Sequence, residues 1–379
     1  MLPDTIPTNI FTLFLSLGII ILVLALLYFL FSVFVIWFRW RDREEKSLKL
    51  VTLMVAVPQD NEVKIDAMEP IIGIVASFYK SAKFKLFQNF IAQPSLSLEI
   101  VGNHDDIRFY ISLPEKYRDL LEKQIYSVYA GADIQAVDEP NIFSENGKVE
   151  TAWLGLKKES YYPLKTYKEI PTDTLSAFTS VLSKLYTDES IAIQLVLSPT
   201  DSGWSKSGKS FISNTKKSES NPEKASFKVD AHQLEAVDAK SNKTGFETAI
   251  RIVAVAPTKE IAKINLSNLK ACFGQLESPW NKLSSRKIRF PSQFINDFIY
   301  KYPVIYWWKV KTILTTDEIA SIYHFPNKSI ETPNIYWLKS KKGPIPPESP
   351  QEGLYIGDNI YRGVTKKFCL TDNDRQRHF

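Results

Sequence analysis

Cysteine is scarce in this chain: of 379 residues, only Cys272 and Cys369 carry thiols. Two thiols so far apart in sequence are too few for a disulfide framework or a cysteine zinc site, and the low count suits a reduced compartment. Histidine is nearly as rare. His104, His232, His324 and His378 are scattered without metal-ligand spacing and read as ordinary surface or core residues. The common catalytic signatures are missing as well. There is no Gly-x-Ser-x-Gly, no His-Glu-x-x-His, and no pair of acids in a recognisable setting, since Asp105-Asp106 falls in a hairpin turn. The sequence therefore implies no catalytic residue, no metal and no cofactor. The formal net charge of +5 is mild and does not argue for nucleic acid by itself.

Charge is absent altogether from Ile10 to Phe38. A helix needs about 20 apolar residues to cross the hydrocarbon of a bilayer, and this run exceeds that. A cleaved signal peptide would start basic, carry a shorter apolar core and end at small residues. Here the first nine residues hold Asp4 and no Lys or Arg, and the run leaves through Trp37-Phe38-Arg39-Trp40-Arg41. The expectation is one transmembrane helix over 10–38. Trp37 and Trp40 would sit at the interface, and Arg39, Arg41, Arg43 and Lys46 would mark the cytoplasmic side. Residues 1–9 would lie outside and the bulk of the chain inside a cell (inner) membrane.

The remainder has room for two or three domains. Alternation at Leu50–Val57, helical spacing from Ala67 to Ala82, and strands at Leu96–Val101 and Ile107–Leu113 open the first unit. A helix from Pro114 to Ala130 and a strand at Asp133–Val137 close it. The order β-α-β-β-α-β is the split βαβ of ferredoxin-like folds, assigned to residues 48–140. It returns over 141–290: strand-like runs in Thr151–Tyr167, a helix over Asp173–Leu185 capped by Thr172 or Asp173, strands at Ser190–Leu197 and Phe246–Ala256, a helix from Thr258 to Leu276, and a short strand at Arg286–Phe290. The predicted fold class is thus α+β, with two ferredoxin-like units after the transmembrane helix. The Ser-, Lys- and Asn-rich insertion 199–245 reads as mobile. Residues 291–350 read as a connector, aromatic-rich at first (Phe294, Phe298, Tyr300, Tyr302, Tyr306, Trp307, Trp308) and then Pro/Lys-rich from Lys339. Residues 351–379 read as a β-hairpin leading into a new strand at Arg375–Phe379.

One phosphate-loop pattern is present to the letter. Gly203-Trp204-Ser205-Lys206-Ser207-Gly208-Lys209-Ser210 matches Gly-x-x-x-x-Gly-Lys-Ser/Thr. Such a loop works when a helix leaves it, so that backbone N–H groups and the helix N-terminus cradle phosphates. The following Phe-Ile-Ser-Asn-Thr-Lys-Lys has no apolar stripe to hold a helix on a sheet, and no later acidic strand end is placed to hold magnesium. Gly203, Gly208, Lys209 and Ser210 are accordingly read as a decoy in a flexible basic loop.

Several stretches together resemble a known group: Asp317-Glu318-Ile319-Ala320-Ser321-Ile322-Tyr323-His324-Phe325-Pro326, Pro333 to Leu338, Gly353 to Gly363, and Asp374-Arg375-Gln376-Arg377-His378-Phe379. The chain resembles the amino-terminal, membrane-anchored region of bacterial ATPases related to type IV secretion coupling proteins and HerA/FtsK-like DNA-translocating motors. In that family the Arg-x-Arg-His-aromatic run begins the first motor strand, which leads into the true phosphate loop. The resemblance therefore implies a chain truncated before its ATPase core and non-catalytic by itself. It would be an anchored platform for conjugation or a type IV secretion-like DNA-translocating ATPase, assembled as a homo-oligomeric ring with a motor subunit or domain as partner. Arg362, Lys366, Lys367, Arg375 and Arg377 are its candidate motor or nucleic-acid contacts. The alternative is direct DNA binding, in which these residues join Lys339, Lys341 and Lys342 to track phosphates while the aromatics at 306–308 stack bases.

Overall fold

A computed structural model describes residues 8–40, 45, 47, 49–81, 93–219, 230–303, 311–339, 343–361 and 364–378. Helix α1 (Thr8–Trp40) is uncharged up to Arg39, and the stretch Thr12–Phe34 is long and apolar enough to cross a membrane. Apart from Ser32, the residues of that stretch are exposed.

The first half follows with β1 (Leu50–Ala56), α2 (Met68–Gly73), β2 (Leu96–Asn103), β3 (Ile107–Pro114), α3 (Arg118–Val128) and β4 (Asp133–Val137). The helix expected from Ala67 to Ala82 is broken: α2 is flanked by single 3-10 turns at Ile65–Ala67 and Ile74–Phe78, and residues 82–92 lie outside the described set. The second half comprises β5 (Lys148–Leu156), α4 (Thr174–Leu182), β6 (Ser190–Pro199), α5 (Gly203–Glu219), α6 (Ala231–Ser241), β7 (Gly245–Ala256), α7 (Lys259–Cys272) and β8 (Leu283–Arg286). Then come α8 (Pro291–Ile299), β9 (Ile313–Thr315), α9 (Thr316–Ala320), a hairpin of β10 (Leu354–Tyr361) and β11 (Val364–Leu370), and α10 (Asp372–His378). Local chemistry starts these helices. Asp173 caps α4 by accepting from Leu175 N at 2.9 Å, Thr258 caps α7 by accepting from Ile261 N at 3.3 Å, and Pro291 opens α8.

The protein is a mixed α/β structure built on one antiparallel sheet in the order β4-β1-β3-β2-β6-β7-β5-β8, with β9 pairing the start of β7. The halves join edge to edge through β2 and β6, in register from Leu96↔Leu197 to Asn103↔Ser190. Strand order in the second half mirrors that of the first, so equivalent connections lie at opposite ends of the sheet. Alternation along the strands divides the core. Leu98, Ile100, Phe109, Ile111, Ile193, Leu195, Ile250 and Ile252 face the helices. On the other face Met54, Val101, Tyr110, Ala192 and Val253 pack under Ile142 and under Phe294 and Phe298 of α8.

Three expectations are corrected here. The insertion 199–245 is not a mobile loop: it forms α5 and α6, with residues 220–229 outside the described set. Trp204, Gly208 and Phe211 supply the inner face of α5, and Phe211 stacks on Tyr161 at 5.2 Å between ring centroids. A side chain at Gly208 would meet Ser241 Oγ at 2.2 Å, so the missing Cβ lets the two helices close. Part of the supposed connector is core: residues 312–315 and 317–326 are buried. The run from Arg375 does not begin a strand but lies in α10. Thr371 turns the chain there, its Oγ1 2.5 Å from Asp374 Oδ2 and accepting from Asp374 N at 3.2 Å, and these local bonds favour a helix start over an extended strand.

Candidate functional site

The buried polar groups gather in two networks, one on each face of the sheet. The first is organised by a strap, residues 311–338, that crosses the helix side from the second half to the first. It starts where β9 pairs with β7 (Gly245↔Thr315) and ends where Leu338 N donates to the Val57 carbonyl at 3.0 Å. Short-range chemistry shapes it. Thr315 N donates to Glu318 Oε2 at 3.0 Å, and Thr315 Oγ1 lies 2.6 Å from Asp317 Oδ1, which also accepts from Glu318 N at 3.1 Å.

Both carboxylates of the strap are then claimed by other elements. Glu318 Oε1 accepts from Leu164 N at 2.7 Å, and its Oε2 is 2.9 Å from the Lys240 ammonium of α6, with both side chains buried. Asp317 meets Lys243 at 2.5 Å. Glu69 of α2 accepts from Tyr167 Oη at 2.6 Å and Lys168 Nζ at 3.0 Å through one oxygen, and from Thr316 Oγ1 at 2.9 Å through the other. Burial by itself would raise the Asp317 and Glu69 carboxyls. For Asp317 the bonds from Lys243 and Thr315, and for Glu69 those from Tyr167, Lys168 and Thr316, outweigh it and hold both below their ordinary values. Burial pushes the Lys240 ammonium down, against the pull of Glu318.

Further along the strap, His324 Nδ1 is 2.8 Å from the Ala320 carbonyl and Nε2 is 3.0 Å from Asp173 Oδ1. Both neighbours accept, so both contacts are hydrogen bonds only when each ring nitrogen carries a proton. Asn327 Nδ2 donates to the other Asp173 oxygen at 3.0 Å. Burial would raise the Asp173 carboxyl, but the bonds from His324, Leu175 N and Asn327 hold it below its usual range. Asp173 thus caps α4 and anchors the strap at once.

The second network is one row across the opposite face. Register places Tyr110, Glu99, Gln194 and Arg251 side by side on β3, β2, β6 and β7. Ser97 Oγ donates to Glu99 Oε1 at 2.7 Å, Gln194 Nε2 donates to the same oxygen at 3.1 Å, and Arg251 donates to Gln194 Oε1 at 2.9 Å. The row holds down α8: Gln194 donates to the Phe298 carbonyl at 2.9 Å, and Arg251 donates to the carbonyls of Asp297 (3.1 Å) and Tyr302. Burial lowers the Arg251 guanidinium to about 10, against the attraction of Asp297 and Glu99. Chemically, both networks are closed: their carboxylates are taken up by donors within the fold. Among the described residues no group of three or more His, Cys, Asp or Glu side chains is placed to hold a metal ion.

The residues singled out in the sequence fall elsewhere. Gly203, Gly208, Lys209 and Ser210 lie along one helix, α5, rather than in a loop before a helix. Trp37 is exposed near the end of α1. The side chains of Arg39 and Trp40 lie outside the described set, as do Arg41, Arg43 and Arg362, the side chain of Arg377, Lys341, Lys342 and the aromatics at 306–308. Lys366 and Lys367 are exposed on β11, opposite Asn359 and Asp358. As neighbours on a strand they point to opposite faces and form no common track. Arg375 pairs with Asp372 at 3.3 Å.

Glu99, Gln194, Arg251, Lys240 and Asp173–His324 were not recognised as network members from the sequence. One signal was readable: Glu99, Gln194 and Arg251 are each flanked on both sides by large apolar residues within a strand. Such a residue in a two-sided buried strand must find partners.

Comparison with known proteins identifies the family. A family model described as a domain of unknown function, DUF8128, matches residues 45–338, and the chain belongs to that family. The match runs from just before β1 to Leu338, the strap residue bonded to Val57 just after β1, taking in the whole nine-stranded sheet and both networks. No curated protein matches the chain. Among solved structures, a crystal structure of aclacinomycin oxidoreductase aligns at 12% identity with a TM-score of 0.27, covering 60% of this chain and 41% of that one. A likeness of that size carries no argument about fold or chemistry.

Proposed function

We propose that this protein is a single-pass, membrane-anchored, non-catalytic platform that holds a DNA-translocating ATPase of the conjugation or type IV secretion kind at the inner face of a cell membrane. The observation that carries the reading is the Thr12–Phe34 stretch of α1, uncharged and long enough to span, whose most apolar window has no residue packed inside the protein. It is followed by a sheet-based body whose two buried polar networks take up their own carboxylates. Each half of the sheet is read as a ferredoxin-like unit, a reading supported by the strand orders β4-β1-β3-β2 and β8-β5-β7-β6. The resemblance of the strap and hairpin sequences to the amino-terminal region of such ATPases supplies the partner. The hairpin β10–β11 is the proposed contact to the motor, since Leu354, Tyr355, Ile356 and Val364 are exposed on it. Ring formation follows from repeated contacts between copies.

The test is purification of the full chain from membranes of its own host. The expected outcome is resistance to alkaline carbonate, an oligomer on native gels, and co-purification of a nucleotide-hydrolysing subunit that is lost on Ile356→Asp. A carbonate-extractable monomer without such a subunit would end the proposal. Tight DNA binding by that monomer would instead favour a tethered nucleic-acid-binding protein.

A further inference from the structure

The lysines of the misread phosphate loop belong to a larger pattern. At about 100° per residue around a helix, Lys206, Lys209, Lys216 and Lys217 of α5 fall within one arc of roughly 100°, together with Ser213. All four lysines are exposed, and no acidic residue of the helix falls in the arc. Among the described residues no carboxylate pairs with Lys206, Lys209 or Lys216. The opposite face is occupied: Phe211 stacks on Tyr161 and Gly208 abuts Ser241, while Ser205, at the edge of the lysine face, donates from Oγ to the Ser241 carbonyl at 2.6 Å. The exposed acids of the pair, Glu235 and Asp238, sit on the other helix, α6. The lysine face therefore points away from the body.

Its place in the sheet gives it a partner. Leu50, the first residue of β1, pairs with Pro114, and Ser112 pairs with Ser97. Leu96 then pairs with Leu197, and Pro199 with Phe246. The start of β1 and the end of β6 consequently lie at the same end of the sheet, three strand spacings or about 14 Å apart. The segment 41–49 that joins α1 to β1 spans at most about 30 Å when fully extended. The tether that holds the body to the bilayer thus leaves from the end at which α5 is mounted.

We infer that the outward face of α5 docks on the headgroups of an anionic phospholipid surface, through Lys206, Lys209, Lys216 and Lys217. The inference rests on the reading of α1 as a membrane span. Basic residues beside a span are drawn to the anionic cytoplasmic leaflet, and the attraction is screened by salt. Docking would orient the sheet relative to the membrane, with the strap and the β2–β3 turn at fixed heights above it.

The experiment reconstitutes the full chain in phosphatidylcholine vesicles, with and without an equimolar share of phosphatidylglycerol. It reads acetylation rates of individual lysines by mass spectrometry and amide hydrogen exchange over 203–219. The expected result is that phosphatidylglycerol slows labelling of the four lysines by about 5-fold or more at low salt, leaves Lys123 on α3 unchanged, and loses its effect at high salt. The slowing of amide exchange should disappear in the variant K206Q/K209Q/K216Q/K217Q, whose melting temperature should match the parent. Equal labelling in the two vesicle types would overturn the inference. So would protection by duplex DNA that anionic vesicles fail to give. Failure of the chain to float with phosphatidylcholine vesicles would break the span alone, and lipid-dependent protection would still uphold the docking face.

Discussion

The two halves of the sheet share a strand order but connect their inner strands in opposite ways. In the first half β2 turns into β3 through a few residues: Asn103 Oδ1 accepts from the N–H groups of Asp105 and Asp106 at 2.9 and 2.8 Å. In the second half the equivalent step, β6 to β7, runs out through α5 and α6 and returns at Gly245. The antiparallel β2–β6 junction puts the first connection at the end of the sheet away from the start of β1 and the second at the same end as that start. The difference shows that the architecture fixes strand order, while the connections are free to specialise by position. The excursion then becomes structural in its own right, because Lys240 of α6 reaches the strap at Glu318.

The predictions test how deep that difference goes. Lys240→Ala should have the largest effect, a loss of about 3–5 kcal/mol in a thermal or urea melt, because it leaves the Glu318 carboxylate buried without its cation. The paired change K240M/E318Q should recover much of that loss. Next, Asp173→Ala should cost about 1–2 kcal/mol, since α4 loses its cap. The first-half helix α2 has Ala67 at its N-cap, with no side-chain cap, and so has nothing equivalent to lose. Asp173 and Asp317 both sit below their ordinary values when folded, so the stability they add is present above the unfolded carboxylate pKa of about 4 and is lost as pH falls below it. An acid titration of stability should be shallower in Asp173→Asn than in the parent. Third, Asn103→Ala should cost about 1 kcal/mol by releasing the turn's two N–H groups, with no effect on the α5–α6 pair by hydrogen exchange. Lys209→Ala should change stability by less than about 0.5 kcal/mol, as an exposed helix residue without an ion pair. Nucleotide binding that this last change abolishes would restore the phosphate-loop reading.

Much of the fold was legible. The strands at Leu50, Leu96, Ile107, Asp133, Ser190 and Phe246 appeared within a residue or two of their observed starts, because alternating or continuous apolar runs bounded by turn residues have few other uses. Thr258 was recognised as a cap for the same local reason, and Asp173 was one of two candidates, with Thr172, for the cap of α4. What escaped was anything depending on a distant partner. The helix α5 looked like a loop because its inner face rests on only Trp204, Gly208 and Phe211, with Tyr161 from another segment completing the contact. The strap looked like connector because the groups that bury Asp317, Glu318 and His324, namely Lys243, Lys240 and Asp173, lie far from them in sequence. The hairpin β10–β11 was readable, but the residues after it were not. A short polar segment such as Asp372–His378 has no periodicity to declare itself, and a single threonine–aspartate turn decides its conformation.

By itself the sequence determined an apolar helix of spanning length, the α+β pattern and the order of strands, because each rests on hydrophobic period and local capping within one segment. Only the tertiary structure decided that the halves share one sheet through β2 and β6, and that the 312–326 stretch is core. It also decided that Glu99, Gln194 and Arg251 form one row, and that the phosphate-loop pattern is the lysine face of a helix. Each of these depends on register between segments 50 to 150 residues apart, and a buried charge acquires its meaning from the partner that the fold places beside it.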